Sequence, residues 1–484
     1  MIKFGTGGFR GVIGDDFNRK NVCIITEALS RIIRDDKSGL PVVIGYDNRF
    51  MSDFFARWMT EVFAAHKISC LLYTHQVPSP AVMCATRDLG LDYGIIITAS
   101  HNPFQFGGVK LFLKGGVDAD VNFTARMEKY IESIENFGEK VEKMPFDEAK
   151  NSGLVKDFSN IEEYVEHIKE YIDPRIKNND IRILFDNICG VGYIALEKLS
   201  KEFNIAEFDI LHKNRDAFFA FELPNPTNEV LFTIREKVLE GGYDYAMATD
   251  SDGDRLGILD EKGNYVDNND ILASLYYYLV HYKGLRGDVV KNCATSVLLD
   301  KLADKFGYKC HEVDVGFKNI SAKMKETDAL IGGESSGGLT CRGYLYGKDS
   351  SFSASLFMEM RIIMNKSVSE IIREVRAFAG YTYCSLEDQV DLTKKSKSRQ
   401  EIMLNEPVFG RKVVNKQVYG NNVKYILEND CWALLRFSGT EPILRIFAEA
   451  ETREECQRIM QISKDFVCFG AAGGNDEREH KTTV

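Results

Sequence analysis

No apolar run in this chain approaches the roughly 18 residues that a membrane-crossing helix needs. The longest candidate, Ile271 to Val280, reads as a buried helix instead. The start, Met1-Ile2-Lys3-Phe4-Gly5, has too short an apolar stretch for a secretory signal. A soluble, cytoplasmic protein with no membrane partner is expected. There is also no excess of positive charge. Lys and Arg number 61 against 72 Asp and Glu, a net charge of −11, which argues against a nucleic-acid backbone as partner. Phosphorylated small molecules are not excluded, because local basic groups decide their binding. Finally, there is no Cys-x-x-Cys pair. The 11 cysteines are odd in number and scattered, so neither a disulfide framework nor a zinc site is expected. Buried thiols in a reducing compartment fit better.

What is present is an ordinary globular composition, 44% hydrophobic and 27% charged, over 484 residues. Three or four domains of about 100–200 residues are expected. The pattern along the chain alternates strand and helix. Pro41–Asp47 is a short apolar strand, and Asp53 to Ala65 follows with helical spacing that puts Phe54, Trp58, Val62 and Ala65 on one side. Ile181–Asn187 repeats the unit, with Gly190 and Gly192 before a helix at Tyr193–Leu199. Asp288–Val290 and a helix at Val297–Phe306 repeat it again. Three such units predict an α/β fold with similar domains in series. The polar stretch from Asn136 to Asn160 reads as a separator, giving domains at 1–150, 151–262, 263–380 and 381–469. Thr393–Arg399 reads as a solvated charged surface. The small, polar residues 470–484 read as a disordered tail.

Two segments carry the strongest chemistry. Thr98-Ala99-Ser100-His101-Asn102-Pro103 follows the buried run Gly94–Ile97, so Ser100 stands at the mouth of a strand as an exposed, rigidly held hydroxyl. A turn or helix-capping serine is the alternative. His101 stands among the candidate catalytic residues, although as a base for Ser100 it is poorly placed if both lie on a strand, where neighbours point to opposite faces. The second segment is Asp250-Ser251-Asp252-Gly253-Asp254-Arg255, again at the end of an apolar strand. Alternating carboxylates at Asp250, Asp252 and Asp254 suit a hard cation such as Mg²⁺. An EF-hand would need helical flanks where the sequence has strand-like ones, and an acidic β-turn is the remaining alternative. A phosphorylated Ser100 beside three aspartates would need nearby cations, for which Lys110 and Arg255 are candidates. Together the pair reads as metal-assisted phosphoryl transfer through serine. Two further loops fit a sugar phosphate. Glu334 and Ser336, in Gly332–Gly338, can face one ligand and suit vicinal hydroxyls. Arg436, Ser438, Gly439 and Thr440 make a phosphate cradle.

These four segments, in this order, resemble the α-D-phosphohexomutase superfamily, from Gly5–Gly11 to about Glu451. The resemblance implies a fold class of α/β with four domains around a central cleft. Three would be similar mixed-sheet α/β domains, the last a smaller TATA-box-binding-protein-like α+β domain. It implies that Ser100 becomes a phosphoserine and that Asp250, Asp252 and Asp254 hold Mg²⁺. Lys110 would lie beside the phosphoserine, and Arg10 would be an active-site arginine of the first loop. Glu334 and Ser336 would contact sugar hydroxyls, and Arg436, Ser438, Gly439 and Thr440 the substrate phosphate. Glucose 1,6-bisphosphate would be both intermediate and activator, the partner a hexose phosphate, and the protein a monomer or weak homodimer.

Family members differ in the third loop. The phosphomannomutase/phosphoglucomutase type and the phosphoglucosamine type resemble each other in ending it Ser-Gly-His, whereas Gly338 stands here. Lys348-Asp349 downstream resembles bacterial phosphoglucomutases, making Lys348 a candidate general acid or base. Departures are Ser335 for an acid, Gly7 for a polar residue and Gly107 for the asparagine before Gly108. The expected reaction is interconversion of glucose 1-phosphate and glucose 6-phosphate. Mannose or glucosamine phosphates are the alternative substrates, and a metal-dependent sugar phosphatase the more remote reading.

Overall fold

The computed structural model describes residues 2–5, 8–393, 396–438 and 442–468. The predicted tail at 470–484, Gly7, Lys394 and Lys395 of the charged stretch, and Gly439 and Thr440 lie outside the described residues. The rest falls into two compact units. One runs to Thr295 and includes Leu299–Gly380; the other joins Ser296–Leu298 to the residues from Tyr381 onward.

The first unit contains three mixed sheets. The first is built from β1 (Phe9–Val12), β2 (Val42–Tyr46), β3 (Cys70–Tyr73), β4 (Tyr93–Ile97), β5 (Phe106–Leu113), β6 (Val117–Asp118) and β7 (Val155–Phe158). The second is built from β8 (Asn179–Asp186), β9 (Ile205–Leu211), β10 (Tyr245–Thr249), β11 (Leu256–Leu259) and β12 (Tyr265–Val266). The third comprises β13 (Val289–Asn292), β14 (Cys310–Val313), β15 (Ile331–Gly333) and β16 (Leu339–Cys341). All three share one plan. A middle strand (β2, β8, β13) has parallel neighbours on both sides, β4 with β3, β10 with β9, and β15 with β14. An antiparallel strand follows on one side: β5, β11 or β16. Strands covered on both faces need continuous apolar sequence, and every residue of β2, β4 and β10 is buried. Helices after the middle strands, Ser52–Ala65, Tyr193–Glu202 and Leu298–Phe306, fulfil the predicted repeat.

This plan fixes where function can sit. In each sheet the loop from a parallel strand to its antiparallel neighbour leaves the same strand end. Those loops are β4 to β5 with Ser100, β10 to β11 with the three aspartates, and β15 to β16 with Glu334.

Two details depart from the sequence reading. On the helix Ser52–Ala65 the buried face is Phe55, Met59, Val62 and Phe63, while Phe54 is 45% exposed. And 136–160 is more than a polar connection. It supplies a helix (Phe146–Asn151) and β7, which pairs parallel with β3 from Cys70↔Val155 to Tyr73↔Phe158. As an edge strand it needs little apolar sequence, and only Val155 of its four residues is buried. The first sheet therefore runs past the expected boundary at 150, and β12 carries the second past 262.

The second unit is an α+β domain. β17 (Cys384–Asp391), β18 (Val413–Tyr419), β19 (Asn422–Leu427), β20 (Trp432–Phe437) and β21 (Ile443–Ala450) form an antiparallel sheet ordered β17-β21-β20-β19-β18. The helix Arg453–Val467 packs on it through Cys456, Ile459, Met460 and Val467. None of the 11 cysteines forms a disulfide. Among the described residues no helix is long and apolar enough to cross a membrane.

Candidate active site

The loop after β4 brings Ser100 against the acidic loop after β10. Ser100 Oγ donates to Asp250 Oδ2 at 2.9 Å. The acidic loop turns tightly, with Gly253 in the left-handed region (φ +69°) that glycine adopts at low cost. Asp254 N and Arg255 N donate back to Asp250 Oδ1 at 2.9 and 3.1 Å. This turn gathers Asp250, Asp252 and Asp254 so that one ligand oxygen from each lies within 4.8 Å of the others. All three are buried. The strands on both sides exclude an EF-hand, and Ser100 is followed by a turn and β5 rather than a helix that it could cap.

Three buried carboxylates repel and must be compensated. Lys110 Nζ bridges Asp252 Oδ2 (2.5 Å) and Asp254 Oδ2 (2.7 Å), and Lys348 Nζ lies 3.0 Å from Asp254 Oδ2. Ser79 Oγ donates to Asp252 Oδ2 at 2.5 Å. Arg255 Nε stands 4.0 Å from Asp250 and 3.9 Å from Asp254. Burial and the two neighbouring carboxylates push the Asp250 carboxyl up, to about 8. Burial pushes Asp254 the same way, but Lys110, Lys348 and Arg255 outweigh it and hold its carboxyl well below the usual range. For Lys110, burial favours the neutral amine, yet Asp252 and Asp254 prevail and raise it. Asp252 Oδ1 is buried and has no hydrogen-bond partner. An orphaned oxygen inside a cluster of three hard donors fits a divalent cation such as Mg²⁺.

His101 departs from the sequence reading. Ser100 has left the strand and adopts φ +52°, so the rule of opposite faces does not apply. His101 Nδ1 comes to 3.4 Å from Ser100 Oγ, near but longer than a strong hydrogen bond. Burial, then Arg255, Arg10 and Lys348, hold this imidazole well below its ordinary pKa, so it is neutral at pH 7. Arg10 reaches the same loop through Nη1 to Asn102 Oδ1 (2.5 Å), and burial lowers it to about 10.

The third loop is a tight turn in which Glu334 N donates to Gly338 O (2.9 Å) and Gly337 N to Glu334 O (3.1 Å). Ser336 Oγ is 3.3 Å from Glu334 Oε2, so the two side chains lie together. Leu256 N donates to Gly337 O (3.2 Å), tying this loop to the strand that follows the acidic turn. Gly338 is a glycine for space: a Cβ there would meet Lys348 Cδ at 2.3 Å. In the second unit, Arg436 lies on β20 and Ser438 N donates to Ile443 O (3.0 Å), closing the β20–β21 hairpin.

Asp118 escaped the sequence reading. It sits opposite Phe112 across β5–β6, on the same sheet face as Lys110. Burial raises its carboxyl, while Lys348 and Lys110 lower it. No motif signals it, only the register of a two-residue strand.

Comparisons with known proteins identify the family. Four domain families match in chain order. They are phosphoglucomutase/phosphomannomutase alpha/beta/alpha domains I (1–137), II (162–263) and III (267–378), and the C-terminal domain (389–463). The chain belongs to the phosphoglucomutase/phosphomannomutase family. It is thus a phosphohexomutase, an isomerase of the α-D-phosphohexomutase superfamily. A phosphoglucomutase/phosphomannomutase of Thermococcus kodakarensis is 28% identical, with 95% of this chain and 97% of the relative covered. A phosphoglucosamine mutase of Alkaliphilus oremlandii is also 28% identical, covering 93% and 95%. A crystal structure from Thermus thermophilus, provisionally described as a phosphomannomutase, superposes with a TM-score of 0.83. It is 27% identical, with 96% of this chain and 98% of the other covered.

Proposed function

We propose that this phosphohexomutase interconverts glucose 1-phosphate and glucose 6-phosphate through phospho-Ser100 and glucose 1,6-bisphosphate, which also primes the enzyme. The observation that carries the reading is the contact of Ser100 Oγ with Asp250 inside a buried group of three carboxylates. Phospho-Ser100 gives its phosphoryl group to the free hydroxyl of a bound monophosphate. The Oγ–P bond breaks, a sugar O–P bond forms, and the hydroxyl proton leaves to a base. The bisphosphate turns over and its other phosphate returns to Ser100. Asp250, Asp252, Asp254 and a phosphoryl oxygen on Ser100 would hold Mg²⁺, which neutralises charge as the phosphoryl group moves. Lys110 and Arg255 offset the remaining negative charge. Lys348 and the neutral His101 are the groups for proton transfer. Glu334 and Ser336 take the sugar hydroxyls. Arg10 is assigned to the serine loop, and Arg436, Ser438, Gly439 and Thr440 to the phosphate that is not reacting.

For the sugar, Gly338 and Lys348 support glucose. The stem of Lys348 fills the space that a histidine would need at 338. Relatives named for mannose and glucosamine phosphates favour the second reading, a mannose or glucosamine substrate. Comparing kcat/KM for each hexose 1-phosphate, with Mg²⁺ and a trace of bisphosphate, separates them. The highest value for glucose 1-phosphate is expected, and a higher value for either other sugar sinks the assignment. Net release of inorganic phosphate would mark a phosphatase. Gly338→His should displace Lys348 and lower kcat/KM for glucose 1-phosphate about tenfold or more while relatively favouring the other sugars. An unchanged sugar ranking would remove 338 as a determinant. Glu334→Ala should lower kcat/KM about 10–100-fold, chiefly through KM, because paired sugar hydroxyls lose their acceptor. Unchanged kinetics across sugars would refute that role.

A further inference from the structure

Arg49 belongs to none of the motifs above, yet it is 1% exposed and charged. Its guanidinium serves one loop. Nη2 donates to Ser100 O and to Asn102 O (2.6 Å), and Nη1 to Pro103 O (2.9 Å) and Phe106 O (3.0 Å). Nε lies 3.4 Å from Asp47 Oδ2. Asp47 in turn accepts from Thr98 Oγ1 (2.7 Å), and that hydroxyl oxygen receives the amide of Ser100 (2.9 Å). Ser251, between two of the aspartates, donates to Ser100 O at 2.6 Å.

The other side of the guanidinium is closed by Phe219, whose ring centroid is 5.0 Å from Arg49 Cζ. Phe219 is 1% exposed and begins three consecutive non-glycine residues in the left-handed region, with φ of +52°, +54° and +61° through Phe221. Such a run is costly and persists only where its surroundings hold it. Asp216 holds it, accepting from the amides of Phe218 and Ala220 at 2.9 Å each. Phe104, in the serine loop, packs its ring against Phe218 and Phe221 at 5.3 and 5.6 Å.

We propose that Arg49, backed by Asp47 and Phe219, is a positioning residue that holds loop 100–106 in the left-handed turn at Ser100 and thereby aims Ser100 Oγ at Asp250. This rests on the reading of Ser100 as phosphoryl carrier. Four carbonyl oxygens pointing inward need a planar group with five fixed donors, which only arginine supplies; an ammonium is a point charge with a different donor geometry. A buried ion pair is weak evidence for stability, so geometry is the better account of this one.

The test uses the full-length enzyme with Mg²⁺. Arg49→Lys should lower kcat about 10²-fold, the effect of a small misplacement of reacting atoms. KM should be unchanged, and loading of phosphate from glucose 1,6-bisphosphate onto Ser100 should slow by the same factor. Guanidinium ion added to Arg49→Ala should restore part of kcat, with no such gain in Arg49→Lys. Wild-type kcat in Arg49→Lys, or a rise in KM with kcat kept, would overturn the proposal. If neither variant folds, Phe219→Leu decides. A lower kcat at constant KM supports the brace, and a wild-type kcat refutes it. Failure of the underlying reading is distinguishable, because wild-type Ser100 would then take no phosphate at all.

Discussion

Ser100→Ala leaves a folded protein whose turnover is lower by at least about 10⁴-fold, because the group that carries the phosphoryl is gone. The fold survives because the contacts that shape the loop are made by the backbone of residue 100. Its carbonyl accepts from Arg49 and Ser251, and its amide donates to Thr98. The side chain contributes the 2.9 Å bond to Asp250 and the longer approach of His101. Thermal unfolding should therefore move little, with KM for the sugar phosphate nearly kept. Activity near wild type would end the phosphoserine mechanism, and a collapsed melting temperature would show a structural role instead.

Asp252→Asn should lower kcat on the order of 10³-fold and weaken Mg²⁺ activation. Asparagine keeps the volume and one acceptor for Ser79, but removes the charge that Lys110 meets at 2.5 Å and that Mg²⁺ would need. Lys110 retains Asp254 at 2.7 Å, so the cation is not stranded. Without metal the variant should melt at a modestly lower temperature, because Lys110 and Ser79 hold the Asp252 carboxyl below the usual range against burial and Asp254, so its charged form favours the fold. The measurements are a Mg²⁺ titration of activity and a melt in chelator. Full activity with unchanged Mg²⁺ dependence would remove Asp252 from the metal site, and a large loss of stability in chelator would mark the carboxylate as structural.

How far the sequence goes depends on how each feature is encoded. The strands that position Ser100 and the aspartates are buried on both faces, so they appear as unbroken apolar runs, and the loops at their ends could be located. The α/β class was legible for the same reason, whereas the α+β C-terminal domain was expected only from the family resemblance. β7 was not, because an edge strand with one buried residue looks like a polar linker. Nor was the proximity of His101, since it depends on a left-handed φ at Ser100 that a serine does not advertise. Asp47 and Arg49 act through partners tens to hundreds of residues away, and Asp118 through the pairing of a two-residue strand, so only a folded loop or strand register makes these contacts visible. Gly338 was legible as a missing histidine, but the Lys348 stem filling its place is a fact of packing alone.

The most direct test loads the enzyme with radiolabelled phosphate from glucose 1,6-bisphosphate, maps the labelled residue, and then chases with unlabelled glucose 1-phosphate in a single turnover. The account predicts label on Ser100 and its transfer into sugar bisphosphate and then glucose 6-phosphate, dependent on Mg²⁺. Label on another residue, or label on Ser100 that leaves only as inorganic phosphate, would contradict it.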